Sequence, residues 1–319
     1  MNIIKIDFKN DLESIKDIWN KEYELIYPIS QALIERNTIN AYSDASFIAK
    51  ENEEIAGFII SKNYDDDYHN ELYKEIGWIS LIYVIPKYRN KGIGSTLLKK
   101  VESEFIKLNK KVLFLGKDFN NFFPGLPIDL KKHLGWFEKR GFTRLYNTCD
   151  LIKNKDIKIP LRNNSIKFTL GNEIPKEKII EFLDANWPGR WTKEAKEYFE
   201  SGGEGKEYLI GLDGDKVCAF AKLGFPDTPT KLISYSLTWR NKFDSLGGIG
   251  PLGVDKSYRG QNIGYDLVAC ATNTLLDSGA EEIIIDWTNL LDFYRKFGYE
   301  VWKSYEYLQK NLEGDSKWN

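Results

Sequence analysis

The sequence predicts a mixed α/β chain made of two successive copies of one α+β unit. Three observations predict it. An apolar, β-branched run, Leu81-Ile82-Tyr83-Val84, leads through Pro86 into a basic, glycine-bearing segment, Tyr88-Arg89-Asn90-Lys91-Gly92-Ile93-Gly94, and then into a helical pattern, Leu97-Leu98-Lys99-Lys100-Val101. The same order returns at Gly253-Val254-Asp255, Tyr258-Arg259-Gly260-Gln261-Asn262-Ile263-Gly264 and Leu267-Val268. A second pair of landmarks, Gly141 and Gly298, lies 157 residues apart, against 170 for Arg89 and Arg259. The first copy therefore carries 13 extra residues between its landmarks, supplied by the Phe-, Pro- and Gly-bearing stretch at 119–127.

The elements follow in order. Residues 3–8 alternate as a strand, and Asp11 opens a helical pattern that runs through Trp19, with more helix around 29–34. Residues 47–50 and 55–61 read as a hairpin, 78–84 as the strand before the first glycine loop, 94–108 as an amphipathic helix and 112–115 as a short buried strand. A helix over 129–139 ends at Gly141. The polar, strand-poor stretch 153–165 is the expected linker, which divides the chain into domains at 1–152 and 166–319. The second copy reads as strand 166–170, helices 176–184 and 193–200, a hairpin turning at Asp213-Gly214-Asp215, strand 248–254, helix 264–278, strand 282–287, helix 289–296 and a last strand 299–308.

Bulk properties narrow the function. The 319 residues suffice for about two domains at ~100–200 residues each. Hydrophobic residues make up 42%, enough for a core in each half, and the net charge of −2 comes from interleaved charges of both signs. Nucleic-acid and membrane-surface partners call for a basic face that this balance does not supply. No apolar run approaches the ~20 residues of a membrane span, and the first residues lack the apolar core of a secretory signal. Cys149, Cys218 and Cys270 are far apart and read as small buried side chains, in keeping with a reducing cytoplasm. His69 and His133 are isolated, and no metal role is expected.

The chemistry lies in the glycine loops. A loop that opens a helix presents unpaired N–H groups, and the helix dipole adds positive potential. Glycines let the backbone approach an anion, and Arg89 and Lys91 add countercharge. A phosphate or pyrophosphate is the fitting ligand. No Gly-Lys-Ser/Thr follows, and the spacing is not Gly-x-Gly-x-x-Gly, so neither a Walker loop nor a dinucleotide fingerprint is present.

The pattern Val-x-Pro-x-Tyr-Arg-x-x-Gly-x-Gly resembles the coenzyme A loop of the GNAT superfamily of N-acetyltransferases. The second part of that family's signature is matched by Asn289 with Phe293-Tyr294-Arg295-Lys296-Phe297-Gly298-Tyr299. Because both halves carry the resemblance, the chain resembles a tandem two-GNAT bacterial protein. The resemblance implies two α+β folds, each a mixed, mostly antiparallel sheet flanked by helices with a splayed central strand. It implies that Asn90, Lys91, Gly92, Ile93, Gly94 and Ser95 hold the CoA pyrophosphate through backbone N–H groups, as do Gly260, Gln261, Asn262, Ile263, Gly264 and Tyr265 in the second half. Val84 and Ile85, and Val254 and Asp255, then belong to the strand end that pairs with pantetheine, next to the signature Arg89 and Arg259. The implied activity is direct attack of a primary amine on acetyl-CoA in a ternary complex, with no metal. Tyr294 matches the family's proton donor to the departing thiolate, and Asp286, at the end of a strand, is the candidate base.

Each half departs from the pattern. Phe137 stands where the first half's tyrosine belongs, and Asn262 where the second half's first glycine belongs. Catalysis in the second half, catalysis in the first half with another donor such as Tyr83, Tyr146 or solvent, and catalysis in both all remain open. Asparagine tolerates a left-handed backbone, whereas phenylalanine has no phenol, which favours the second half. On the acceptor side, Asp65-Asp66-Asp67 with Tyr64 and Tyr68 reads as a solvated loop or a cation receiver, and Trp187, Arg190 and Trp191 read as a pocket wall or a packed helix corner. A CoA-binding sensor or scaffold with dead sites is the alternative function. Aminoacyl transfer from tRNA fits poorly, because the charge balance offers no tRNA-sized basic surface. Whether the chain is a monomer or a homodimer, and which amine it accepts, the sequence leaves open.

Overall fold

The computed structural model describes residues 1–64, 71–154, 157–162, 165–233 and 237–312. Asp65, Asp66, Asp67, Tyr68 and His69 lie outside the described residues. The chain divides into two compact units, Met1–Thr148 with Lys303–Asn319, and Cys149–Trp302.

The first unit opens with β1 (Asn2–Lys5) and α1 (Leu12–Tyr23), which buries Leu12, Ile15, Trp19 and Tyr23 as one stripe at helical spacing. Asp11 precedes α1 as expected, yet its carboxylate accepts from the Asp7 N–H (2.8 Å) instead of capping the helix. Then come α2 (Gln31–Thr38), β2 (Phe47–Glu51), β3 (Glu54–Asn63), the four-residue α3 (Glu71–Lys74), β4 (Ile76–Val84) and α4 (Ile93–Lys107). The unit continues with β5 (Val112–Leu115), β6 (Leu126–Pro127), α5 (Leu134–Glu138) and β7 (Thr143–Lys153). The expected helix over 129–139 is a 3-10 segment, Ile128–His133, followed by α5. The sheet order is β1-β2-β3-β4-β5, antiparallel except for the parallel pair β4/β5.

The second unit repeats the plan with β8 (Lys167–Leu170), α6 (Lys176–Asn186), α7 (Arg190–Glu200), β9 (Tyr208–Asp213), β10 (Lys216–Gly224), β11 (Leu246–Val254), α8 (Ile263–Asp277), β12 (Glu282–Thr288) and α9 (Leu291–Arg295). The order β8-β9-β10-β11-β12 is again antiparallel apart from β11/β12. Each unit is thus a mixed, mostly antiparallel sheet flanked by helices. Ile283, Ile284 and Ile285 on β12 and Leu267, Val268, Ala269 and Ala271 on α8 are fully or almost fully buried, as a strand and a helix of one core require.

The strands that complete the sheets are exchanged. In the first unit, β5 pairs with the final strand β13 (Glu300–Asn311), Leu115 opposite Leu308 and Val112 opposite Asn311. In the second unit, β12 pairs with the last residues of β7, Ile283 opposite Lys153 and Ile285 opposite Leu151. The expected division into 1–152 and 166–319 kept each copy contiguous. In the structure, residues from Cys149 on complete the second sheet, and those from Lys303 on belong to the first unit. Among the described residues no helix is long and apolar enough to cross a membrane.

Candidate active site

Each site begins where two parallel strands stop pairing. β4 and β5 pair from Ile76/Val112 to Ile79/Leu115, and the Gly116 N–H closes the ladder on the Ile79 carbonyl (2.8 Å). Beyond that point β4 runs on to Val84, paired only with β3. Gly116 has φ +67, and a Cβ there would lie 2.3 Å from the Phe123 carbonyl oxygen, so only glycine allows the chain to turn off the sheet at this point. The second unit does the same: β11 and β12 pair from Leu246/Glu282 to Ile249/Ile285, while β11 continues to Val254. Both splayed strands that the resemblance implied are present.

The glycine loops follow. In the first, two residues adopt left-handed backbone, Asn90 (φ 61) and Gly92 (φ 83). In the second these are Gly260 (φ 81) and Asn262 (φ 61). Each loop therefore has one asparagine and one glycine at the same two positions, in opposite order. Asn262 adopts the geometry that its glycine counterpart has, as its tolerance for that region permits. Among the described residues, the N–H groups of Asn90 through Ser95 have no hydrogen-bond partner. The same holds for Gly260, Asn262, Ile263, Gly264 and Tyr265. The first bonds of the following helices come from Thr96 to Gly92 (3.0 Å) and from Asp266 to Asn262 (3.1 Å). Such rows of free donors at a helix start are what an anion requires.

In the first unit the loop opens into a cavity of about 600 Å³ between β4, β5 and α5. Trp19, Tyr23, Tyr83, Phe123, Trp136 and Phe137 give it aromatic walls. Arg89 does not point at the loop's N–H groups. Its Nε donates to the Val84 carbonyl (2.8 Å) and its guanidinium grips the Glu22 carboxylate, Nη1 to Oε1 at 3.1 Å with a second, shorter contact through Nη2. The expected countercharge of Arg89 is thereby committed to tying the strand end to α1. Tyr83 donates to the same carboxylate (2.8 Å). Burial works against ionisation of Glu22, but the bonds from Arg89 and Tyr83 outweigh it and hold its carboxyl below the usual range. Burial pushes the Tyr23 phenol up to about 12 and raises Tyr83 as well, with Glu22 adding to both.

Cationic charge reaches the loop from elsewhere. Arg140 donates from Nη2 to Ser95 Oγ (2.5 Å) and lies 3.9 Å over the Trp136 ring. Trp136 in turn packs over Gly94, where a Cβ would stand 3.1 Å from the indole. In the second unit the residue matching Ser95 is Tyr265, and the Arg162 guanidinium stacks 3.8 Å over its ring. Ile85 and Asp255, expected near pantetheine, donate their N–H groups to Ala56 (2.9 Å) and Cys218 (2.9 Å), fixing each splayed strand to its hairpin partner.

In the second unit Trp187 packs directly over the splayed strand. A Cβ on Gly253, the residue matching Tyr83, would lie 2.4 Å from Trp187, whose ring packs against Trp191 (5.3 Å) and Phe220 (5.4 Å). Arg190 pairs with Glu194 and reaches over Trp287 (4.8 Å). The Trp-rich segment is thus a packed corner beside the splayed strand. Asp286 Oδ1 lies 3.4 Å from the position of a Cβ on Gly250, at the mouth of the splay. Tyr294 is buried, and its hydroxyl has no hydrogen-bond partner among the described residues. Burial first, and then the Asp286 charge, push its phenol up to about 12. The structure therefore brings Tyr294 and Asp286 into one electrostatic neighbourhood, and places Phe137 on the cavity wall in the first unit.

Sequence reasoning missed Glu22, Trp136, Arg140 and the position of His133. The signal for three residues was available: 133, 136, 137 and 140 follow helical spacing, and the structure brings all four, from α5 and the residues flanking it, to the cavity lining. Glu22 carries no comparable signal, because a glutamate on an amphipathic helix reads as solvated. Cys149 and Cys218 are buried and Cys270 partly so. No group of three or more His, Cys, Asp and Glu able to hold a metal is present among the described residues.

Comparisons agree with this geometry. A model described as the acetyltransferase (GNAT) family matches residues 12–123 and 176–299. A search of curated proteins returned no match. Among solved structures, a GCN5-related glucosamine N-acetyltransferase region of a fungal multi-domain GH3 β-N-acetylglucosaminidase aligns with a TM-score of 0.85 at 23% identity, over 97% of this chain and 38% of that one. This chain thus spans well under half the length of the fungal protein. A GCN5-related N-acetyltransferase from Sphaerobacter thermophilus aligns at 0.70 and 14% identity, over 99% of this chain and 97% of that one. A tandem GNAT protein from the clavulanic acid biosynthesis pathway aligns at 0.69 and 12%, over 99% of both. At these identities the similarity speaks for the fold.

Proposed function

Because this chain belongs to the acetyltransferase (GNAT) family, we propose that it transfers an acetyl group from acetyl-CoA to a primary amine by direct attack in a ternary complex. The observation that carries the reading is the row of partnerless N–H groups from Asn90 to Ser95, opening onto a cavity beside the unpaired edge of β4. The residues fit the cosubstrate: donors and a stacked arginine for its phosphates, and a free strand edge and an aromatic-walled channel for its pantetheine arm. Acetyl-CoA supplies an activated thioester.

The chain's residues do the rest. Backbone N–H groups of Asn90, Lys91, Gly92, Ile93, Gly94 and Ser95 hold the pyrophosphate, and Gly260 through Tyr265 do so in the second unit. Val84 and Val254 end the strands that line up the pantetheine arm, whose N–H edge also steadies the oxyanion formed on attack. In the second unit Asp286 takes the proton of the attacking amine, and Tyr294 gives one to the departing thiolate. A phenol held near 12 stays protonated throughout the neutral range, which is the state a donor needs. Tyr294→Phe is expected to lower second-unit turnover by about 100-fold, in the range of general acid catalysis. Its melting temperature should scarcely move, since the hydroxyl leaves no orphaned partner behind. Full turnover in that variant would transfer the donor role elsewhere.

Thiol release from acetyl-CoA against a panel of amines tests the reading. Glucosamine heads the panel because of the fungal structure, followed by polyamines, free lysine and peptide N-termini. Turnover with at least one amine is expected. Tight CoA binding with no release for any amine would instead select a CoA-binding sensor, the reading that Phe137 in the first unit favours.

A further inference from the structure

In the first unit we infer that His133 is the proton-transfer residue of acetyl transfer, taking the role for which Phe137 has no phenol. The inference rests on the acetyl-transfer reading above. One face of α5 lines the cavity, with Phe137 at the position that Tyr294 holds in the second unit. Arg140 fixes the loop end of this face through Ser95. His133, the last residue of the 3-10 segment that leads into α5, lines the same cavity four residues before Phe137. It is half-buried, and among the described residues neither ring nitrogen has a hydrogen-bond partner. A half-buried imidazole in a reactive cavity with both nitrogens uncommitted is a group whose partner arrives with the substrate.

Its electrostatic surroundings suit a base. Burial lowers its pKa below 6.5, Lys132 on its own element and Arg89 after β4 lower it further, and Glu22 on α1 opposes them in part. These influences favour the neutral imidazole, the form able to accept a proton. The step balances without another reactant. The acceptor nitrogen attacks the thioester carbonyl carbon, and as the N–C bond forms the imidazole takes a proton from that nitrogen. The C–S bond then breaks, sulfur leaves with its electron pair, and the imidazolium returns the proton to it. The products are an amide and a thiol, with His133 neutral again.

The test uses the whole chain with Tyr294→Phe, which leaves the first unit to turn over, and an amine to which the parent chain responds. Adding His133→Gln is expected to lower the remaining kcat by about 100-fold with KM for acetyl-CoA nearly unchanged. His133→Ala should regain part of that rate with added imidazole, a rescue that a merely structural loss would not show. The acidic limb of kcat/KM, lying on the acid side of an ordinary histidine's titration, should vanish with the histidine. A second readout needs no turnover. The chain has two histidines, so the nitrogen-15 signal missing from His133→Gln identifies His133, and it should shift when CoA saturates the protein. Equal kcat with and without His133, no turnover in the Tyr294→Phe chain, or a His133 signal blind to CoA would each overturn the inference while the acetyl-transfer reading stands. No release by the parent chain with any amine would remove that reading and this one together.

Discussion

Gly92→Glu abolishes CoA binding at the first unit while leaving the fold in place: this is the expected result of isothermal titration on that variant. Gly92 has φ 83 and ψ −8, and a Cβ there meets nothing within 4 Å. The new side chain therefore has room, and what it enters is the space in front of the free N–H groups. Two costs follow. A non-glycine residue in the left-handed region costs roughly 1 kcal/mol, a tolerable fraction of stability, and Asn90 already sits there two residues earlier. The carboxylate also places negative charge within a few ångströms of the pyrophosphate, worth about 1–4 kcal/mol per charge pair near a surface, and it occupies the volume the phosphates need. Affinity should fall by at least about 100-fold, which corresponds to ~2.7 kcal/mol. Gly92→Ala separates the terms, since it keeps the backbone strain and loses the charge. Unchanged affinity and stoichiometry in Gly92→Glu would refute the loop assignment.

The second large effect concerns stability. Lys62 and Asp118 form an ion pair at 2.5 Å with both side chains wholly buried. The ammonium also donates to the Phe119 (2.7 Å) and Asn120 (2.9 Å) carbonyls, and Ser80, on the cavity wall, donates to the same Asp118 oxygen (2.6 Å). Asp118 Oδ1 has no hydrogen-bond partner among the described residues. Lys62→Met therefore leaves a buried carboxylate with one hydroxyl donor. Removing one partner of such a pair costs about 3–5 kcal/mol. At roughly 2–4 °C per kcal/mol for a domain of this size, the melting temperature of the first unit should fall by about 6–20 °C. Lys62→Met with Asp118→Leu should recover much of the loss, because the uncompensated charge is gone. Calorimetry on the single and double variants decides it. A single variant as stable as the parent would show that the pair contributes nothing. The position matters because the pair holds the start of the 119–127 insertion against β3, and that insertion brings Phe123 and Leu126 to the cavity.

What the sequence disclosed and what it withheld divide along physical lines. The repeat, the two loops and their helices were legible, because left-handed turns restrict residue choice and amphipathic helices have a period. Asn262 is the instructive case. A residue that breaks the glycine pattern still satisfies the backbone requirement, and the exchange of Asn and Gly between Asn90/Gly92 and Gly260/Asn262 shows that the loops were specified by conformation more than by residue identity. Arg89 was misleading in part: its place in the motif was visible, but its direction toward Glu22 depends on a helix 67 residues earlier. Lys62 carries no local mark of burial in the sequence, and only its pairing with Asp118, distant in the chain, accounts for it. The identity of the strand that completes each sheet was not legible either. Nothing in the local pattern of β7 or β13 says which of two similar edges it will join, since pairing is decided by register and space, not by composition.

That exchange imposes an order of events on biosynthesis. The first unit needs residues 303–311 to give β5 its second neighbour, so a ribosome must deliver all of Cys149–Trp302 before the first unit can close. Until then β5 presents Val112, Leu113 and Leu115 along an open ladder, a temporary edge of the kind that pairs with the wrong chain. A fragment ending at Thr148 should accordingly remain prone to self-association and give little folded material, whereas supplying the 303–311 segment in trans should raise the soluble yield. The loop that keeps both glycines of the Arg-x-x-Gly-x-Gly pattern thus belongs to the unit that matures last, although its own residues are translated first.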